Sequence, residues 1–456
     1  MLETIINALK VKEIRKKVIM MLLLLLVFRL GCFIPVPGLN SEVFQEQIAD
    51  NSFLQLMNMI TGSALSQGTL FALGIGPYIN ASIIMQLLAV GIPALERLSK
   101  QGEEGRKKIA QYTRYVTIVL AIIQSVGIII GFGGFDKGNS EGAILVNLFF
   151  NQAWLAGVVM VIVYTAGAFL VMWLGERITD YGVGNGQSMI IFTGILSTAG
   201  QLILGKIGQM FGWNIGMASI TGRVPTPSEA FWELVAFVLV SAVIFFAIVY
   251  VDLSERKVPI QYAKQIKGRK MYGGQSSAIP IKISGGGVMP LIFSFSILSF
   301  PQMICSMVDP HAEGWFTKFW NNYMSATTQS DVGIVVYTLV LCLLIFGFSF
   351  FYAQMQFDPE DVSRNIQQNG GFIHGIRPGK ATENYLKKIS NRITLFGAIY
   401  LSLVAFVPTV AFGWASRDLV NAFSTTGILI VVSVAIEFEK QLQAQMMMKT
   451  HKGFLK

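Results

Sequence analysis

The basic residues of this chain are distributed in stripes, and this distribution constrains its fold more than any other feature. Of the 35 Lys and Arg residues, 29 fall in six groups, at 10–17, 97–114, 177, 256–282, 364–392 and 440–456. Five others lie in the alternate connections, and only Arg29 lies inside an apolar stretch. Short cytoplasmic loops of membrane proteins retain Lys and Arg, whereas loops on the far side are depleted of them. The alternation predicts a multi-pass membrane protein with both termini in the cytoplasm.

Hydropathy predicts the number of membrane spans. Apolar residues make up 53% of the chain and charged residues 13%, a balance outside the range of soluble domains. A helix needs about 20 apolar residues to cross a hydrocarbon core of about 30 Å. Ten segments qualify: 18–36, 75–92, 115–133, 154–174, 188–205, 230–251, 288–308, 332–353, 393–413 and 425–447. The first has no small-x-small cleavage site, so we expect it to be retained in an all-α integral membrane protein.

Residues that commonly carry chemistry are scarce in these spans. Arg29 is the one ionisable candidate near mid-membrane, and we expect it to snorkel outward or to bond a loop carbonyl. The three cysteines and three histidines have no metal-site or disulfide spacing. The glycine cluster at 284–287 lacks the lysine of a phosphate-binding loop. We therefore predict no catalytic residue, metal or cofactor, which argues against an intramembrane enzyme and weakens the alternative of an ion-coupled solute transporter.

Small polar side chains recur inside three of the spans. They are Asn80, Ser82 and Gln86 in the second, Ser188, Thr193 and Ser197 in the fifth, and Ser294, Ser296 and Ser299 in the seventh. Such groups either line a cavity or form hydrogen bonds between helices. The sequence alone leaves both interpretations open.

Two connections differ from ordinary loops. Residues 39–74 contain no Lys or Arg. They are too apolar to be fully exposed to water, yet not apolar enough to form a membrane-spanning helix. A short helix folded back into a protein-lined cavity would satisfy both constraints.

Residues 256–283 alternate apolar and polar side chains about Lys267–Lys270, which predicts a hairpin with a cationic tip. This hairpin and the loop at 356–392 are suited to an anionic or mixed-charge partner (RNA, acidic lipid or a soluble protein), although inside-positive bias alone is the alternative explanation.

Six blocks in this order resemble the SecY family, the central subunits of bacterial protein-conducting channels. They are residues 33–38, 72–88, 105–115, 173–186, 262–264 and 375–379, and the resemblance extends over about 22–448. It implies two pseudosymmetric five-helix halves, 18–205 and 206–447, around a central pore with a re-entrant plug helix. A basic N-terminal segment (1–17) and a tail (448–456) would flank them, with docking loops at about 252–287 and 354–392.

The resemblance also implies roles for individual residues. The pore ring would comprise Ile75, Ile79, Ile191, Ile292 and Ile430. The plug, about 58–70, would include Asn58, Met59, Ile60, Thr61, Gly62, Ser63, Ala64 and Leu65; this chain has Gln67 where some relatives carry a basic residue. The lateral gate would include Asn80, Ser82, Ile83, Gln86, Ser294 and Ser296. Partner docking would involve Arg256, Lys257, Lys264, Arg269, Lys270 and Arg377.

The implied function is passage of unfolded secretory polypeptides across the plasma membrane and sideways release of transmembrane segments into lipid. The implied partners are SecE-like and SecG-like small membrane subunits, the SecA motor ATPase, the ribosome, signal sequences, unfolded preproteins and membrane lipids. Energy would come from a partner or from the membrane potential, because the chain has no phosphate-binding loop. The expected location is the bacterial cell membrane, with both termini cytoplasmic.

Overall fold

The computed structural model describes residues 2–39, 45, 58, 61–131, 152–211, 227–262, 265–267, 270–272, 276–283, 287, 289–308, 314–324, 331–415 and 425–452. Ten long helices lie in these ranges: α2 Lys12–Gly31, α3 Gly76–Gly91, α5 Glu103–Gly131, α6 Ala153–Tyr181, α7 Gly186–Met210, α8 Pro227–Asp252, α9 Met289–Val308, α11 Asp331–Gln356, α13 Lys380–Ala415 and α14 Thr425–Lys452. Four shorter helices are α1 Leu2–Lys10, α4 Pro93–Lys100, α10 Trp315–Tyr323 and α12 Pro359–Gln368.

Each of the ten predicted spans coincides with one long helix, so the predicted all-α membrane architecture is confirmed. By length and composition alone, five helical stretches among the described residues qualify as candidate spans, and the bent pair α3 and α4 is a sixth. This pair bends by 105° at Ile92, whose extended backbone precedes Pro93, since proline disfavours helical geometry in the residue before it. The first span ends earlier than predicted: α2 ends at Gly31 instead of residue 36, and turns follow.

The helices pack around a shared apolar centre. This central cluster draws buried side chains from α2, α6, α7, α8, α9, α11, α13 and α14, together with Ile75 at the start of α3. α9 packs against α11, α5 and α3. Ala8 of α1 and Leu442 of α14 share a smaller cluster with Val183, so the two ends of the chain meet beside the turn between α6 and α7.

A small sheet lies between α8 and α9, and its hairpin confirms the period-two prediction. Strand β1 (Glu255–Tyr262) pairs antiparallel with β4 (Ser276–Lys282), with Glu255 opposite Lys282. Between them, β2 (Gln265–Lys267) pairs with β3 (Lys270–Tyr272). The pairing of β1 with β5 (Gly371–Phe372), which comes from the loop after α12, was not predicted. The two predicted docking loops therefore belong to one sheet, and we call this end of the molecule the sheet side.

Candidate functional site

The five isoleucines of the expected pore ring all belong to the central cluster. Ile75, Ile191 and Ile430 are buried, whereas Ile79 and Ile292 are partly buried and pack against the cluster. They come from α3, α7, α9 and α14, and therefore from both the first and the last five spans. Where branched aliphatic side chains line a narrow passage, they disfavour water and hinder ions. They make no directional bonds, so they can move apart without losing hydrogen bonds.

The described part of the expected plug, residue 58 and residues 61–70, packs tightly against its surroundings. Asn58 has helical geometry, residues 61–70 form turns and a bridge, and Met59 and Ile60 lie outside the described residues. The backbone of this segment is tied to the turns that follow α2, since the Val36 N–H donates to the Gly68 carbonyl at 3.0 Å. Leu65 is fully buried in a second apolar cluster with Tyr164. The segment is thus an integrated part of the packed interior.

Thr61 and Ala64 are also buried, and Ser63 is half-buried. The Ser63 hydroxyl donates to Oε1 of Gln201 on α7 at 3.0 Å. The Asn58 side-chain oxygen accepts from the Ser66 N–H at 2.8 Å. These bonds hold the segment to itself and to α7.

Arg29 does not snorkel outward, so that expectation is wrong. Its Nη2 donates to the hydroxyl of Ser197 on α7, and its Nη1 is buried without a hydrogen-bond partner among the described residues. The guanidinium adjoins Gly62, because a Cβ at that position would overlap Nη1. The reason lies in the tertiary fold, since α7 brings the Ser197 hydroxyl within reach of the guanidinium. Ser197 therefore takes part in a hydrogen bond between two helices, which is one of the two interpretations of the small polar residues.

Two glycines allow the plug segment to approach its neighbours. Gly62 has φ of +70°, and a Cβ there would also lie 3.0 Å from the carbonyl oxygen of Gly194. Gly167 on α6 faces the carbonyl of Leu70, and any Cβ would overlap that oxygen. A left-handed backbone conformation and a close contact with a neighbouring backbone both favour glycine, because glycine has no Cβ.

A polar and aromatic contact joins α3 to α11 at the expected lateral gate. Nε2 of Gln86 donates to the Ser82 hydroxyl at 3.1 Å, and Oε1 of Gln86 accepts from the Tyr352 hydroxyl. Ile83 is buried in the same place with Phe293 of α9 and Tyr352. We call these five side chains the seam cluster. It connects one helix of the first five spans with two of the last five.

The other expected gate residues are less involved in this seam. Ser294 is fully buried, but its hydroxyl donates to the Pro290 carbonyl of its own helix at 2.7 Å. A hydroxyl within a helix commonly bonds the carbonyl one turn earlier in this way, so its place at the lateral gate stays a prediction. Asn80 and Ser296 are half-buried on α3 and α9.

On the sheet side, Arg377 is exposed in the turn that precedes α13. Two buried hydroxyls hold this turn: Thr382 donates to the Arg377 carbonyl at 2.9 Å, and Ser363 of α12 donates to the Gly379 carbonyl at 2.9 Å. Beneath the turn, Ile373 belongs to an apolar cluster that includes residues of β1 and β4. The guanidinium is consequently displayed from a rigid base.

Of the remaining expected docking residues, Arg256 and Lys257 are exposed at the start of β1. Lys257 pairs with Glu255 at 3.4 Å, a contact between exposed groups that contributes little stability. Lys270 lies in β3, at the tip of the second hairpin. Lys264 and Arg269 lie outside the described residues.

Sequence reasoning missed Tyr352, Thr382 and the β5 residues Gly371–Phe372. Tyr352 is one of several aromatic residues near the end of its span, and a tyrosine there normally indicates a membrane interface. Thr382 carried no signal apart from its position shortly before a basic amphipathic stretch. The β5 strand has only two residues, too few for an alternation pattern.

Three comparisons relate this geometry to known proteins. The SecY family model matches residues 69–439. The "Protein translocase subunit SecY" of Streptomyces coelicolor is 40% identical over 464 residues and is aligned over all of both chains. A solved structure described as "The structure of a protein conducting channel" has a TM-score of 0.64 at 23% identity, covering 95% of this chain and 93% of that one. Sec61 in a canine ribosome-channel complex from the endoplasmic reticulum has a TM-score of 0.63 at 21% identity, with the same coverage.

Proposed function

Because the chain belongs to the SecY family of protein translocase subunits, we propose that it is a protein-conducting channel for unfolded secretory polypeptides. The observation that carries this proposal is the convergence of five isoleucines from four helices in one central cluster, beside a packed plug segment. A stretched polypeptide presents every kind of side chain in turn. A neck of aliphatic groups can accommodate all of them, because it forms no specific bond with any.

At rest, the ring and the plug segment act together as the seal. The ring disfavours water, while residues 61–70 pack against α6, α7 and the turns that follow α2. Movement of the plug requires loss of the Ser63–Gln201 bond and of the contacts around Leu65. No covalent chemistry is involved, and the chain serves as a conduit whose energy comes from a partner ATPase, the ribosome or the membrane potential.

The seam cluster provides the sideways exit for transmembrane segments. It joins the two five-helix halves through side chains alone, and an interhelical hydrogen bond in a membrane contributes about 0.6 kcal/mol on average. A signal sequence that binds the open seam therefore needs only a small differential affinity to shift the population.

The sheet side is the docking surface and faces the cytoplasm of a bacterial cell, with both termini on the same side. Exposed Arg377, Arg256 and Lys257 give this surface a positive charge, suited to ribosomal RNA and to acidic patches on a motor ATPase such as SecA. The structural relative in the canine ribosome-channel complex supports the ribosome as a partner. SecE-like and SecG-like subunits would cover part of the lipid-facing surface.

Proteoliposomes test the proposal directly. Vesicles that contain this chain with a SecE-like subunit should import a radiolabelled precursor when the motor ATPase and ATP are added. Arg377→Glu should abolish this import while the chain remains inserted and folded. Import by vesicles lacking the chain would contradict the proposal. Uptake of a small solute without precursor import would instead support the solute transporter alternative.

A further inference from the structure

The short helix α10 lies at the end of the molecule opposite the sheet. α9 starts soon after β4, runs for 20 residues, and therefore rises about 30 Å before α10 begins. α10 contacts both α9 and α11, and both of these are membrane helices in the predicted topology. It is therefore held at the membrane boundary on the far side from the docking surface.

The nine residues of α10 are divided into two faces. At about 100° per residue, its five aromatic side chains fall within an arc of about 140°: Trp315, Phe316, Phe319, Trp320 and Tyr323. Rings on this arc contact one another, with centroids 5.9 Å apart for Trp315 and Phe316 and 5.4 Å apart for Phe319 and Tyr323. The rest of the circumference carries Thr317, Lys318, Asn321 and Asn322, which form the polar arc.

Most of the aromatic arc faces away from the protein. The exposed fractions are 79% for Trp315, 46% for Phe316, 43% for Phe319 and 38% for Tyr323. By contrast, Thr317 on the other arc is buried and contributes to the contact with the protein. An exposed apolar face that is continuous along a whole helix indicates a surface covered by another apolar phase.

The neighbouring helices indicate what that phase is. Ile304 on α9 and Val332, Val335 and Leu339 on α11 are exposed apolar side chains of predicted membrane spans, so they face lipid. In the sequence, α10 lies between α9 and α11, and it contacts both helices. Its aromatic arc therefore adjoins two surfaces that face lipid. Trp and Tyr are the residues typical of the headgroup level, where an apolar ring body and a polar tip are both accommodated.

We propose that α10 lies in the plane of the far membrane interface, with its aromatic arc inserted among phospholipid headgroups and upper acyl chains. Lys318 and Asn322 then face water, as in other amphipathic helices that lie on a bilayer. The helix anchors the far end of α9, the helix that contributes Phe293 to the seam cluster. This proposal is independent of the proposed function, since it concerns contact with lipid alone.

Spin labels test the orientation of α10 in the full chain reconstituted with its lipids. Phe319→Cys and Lys318→Cys provide a matched pair, one on the aromatic arc and one on the polar arc, in a background with the three native cysteines replaced by alanine. Oxygen, which partitions into lipid, should relax the label at 319 about twofold more than at 318, and a water-soluble nickel chelate should show the reverse order. Equal access of the chelate to both labels would overturn the proposal. Exclusion of both reagents from position 319 would also overturn it, because a protein surface would then cover the arc.

A second measurement keeps the native cysteines. Brominated phospholipids should quench the native protein's tryptophan fluorescence more than that of Trp315→Phe, and aqueous iodide should not distinguish the two proteins. Equal quenching by brominated lipid, together with greater iodide quenching of the native protein, would place Trp315 in water.

Discussion

The hydroxyl of Tyr352 in α11 donates a hydrogen bond to the side-chain oxygen of Gln86 in α3, across a sequence separation of 266 residues. The Tyr352 ring also packs on Phe293 of α9, with centroids 4.9 Å apart. One hydrogen bond and a few side chains thus form a link between the first and last five spans at this seam. α9 also packs against α5, and a single hydrogen bond added to this packing suits a gate whose two states are close in free energy.

Tyr352→Phe should weaken the closed gate by removing the hydroxyl but not the ring. Loss of about 0.6 kcal/mol corresponds to an approximately threefold shift toward the open state. We expect more efficient export of a precursor whose signal sequence has been weakened. Tyr400→Phe is the matched control, because the Tyr400 hydroxyl has no hydrogen-bond partner among the described residues. Equal export by both variants would show that the Gln86 bond does not hold the gate.

Gly62→Ala should displace the plug segment. The new Cβ would overlap Nη1 of Arg29 and approach the Gly194 carbonyl to 3.0 Å, and left-handed backbone costs an L-residue about 1–2 kcal/mol. We expect higher resting ion conductance in planar bilayers. Gly200→Ala on α7 is the control, since a Cβ there meets nothing within 4 Å. A tight bilayer with Gly62→Ala would mean that the segment does not contribute to the seal.

Replacing Ile79 and Ile191 by glycine should make resting membranes permeable to small ions. Both side chains belong to the central cluster, and their removal widens and hydrates the neck. The same change at Ile122 and Ile162, which are exposed on α5 and α6, controls for the helix-weakening effect of glycine, about 1 kcal/mol per residue. If the two double variants conduct equally, the seal lies elsewhere.

The spans were predictable because bilayer thickness imposes a minimum length and an apolar composition on each membrane helix. Both properties can be read from a single segment, such as 332–353, without knowledge of the rest of the fold. The hairpin of β1 and β4 was predictable because alternation is also local. The bond between Tyr352 and Gln86 was not, since neither residue carries information about the other. Arg29 was misread for the same reason: its partner Ser197 is 168 residues away, and the proximity of the plug segment depends on the whole fold.

Thr382→Val should weaken binding of the motor ATPase although residue 382 is buried. The change removes the hydroxyl that donates to the Arg377 carbonyl, and loss of such a bond costs about 1 kcal/mol, or about fivefold in affinity. We expect the concentration for half-maximal ATPase stimulation to rise while the maximal rate is unchanged. Thr382→Ser retains the donor and should restore affinity. Failure of serine to restore it would indicate a packing role for Thr382 instead of support of the Arg377 turn.

The central claim is that a translocating polypeptide passes through the isoleucine ring. A photo-reactive amino acid placed at position 191 should form a cross-link to the middle of a precursor arrested during transport. The same probe at position 162, which faces away from the protein interior, should not. Strong cross-links from position 191 are the predicted result. Their absence, with the precursor demonstrably arrested in the membrane, would contradict the account.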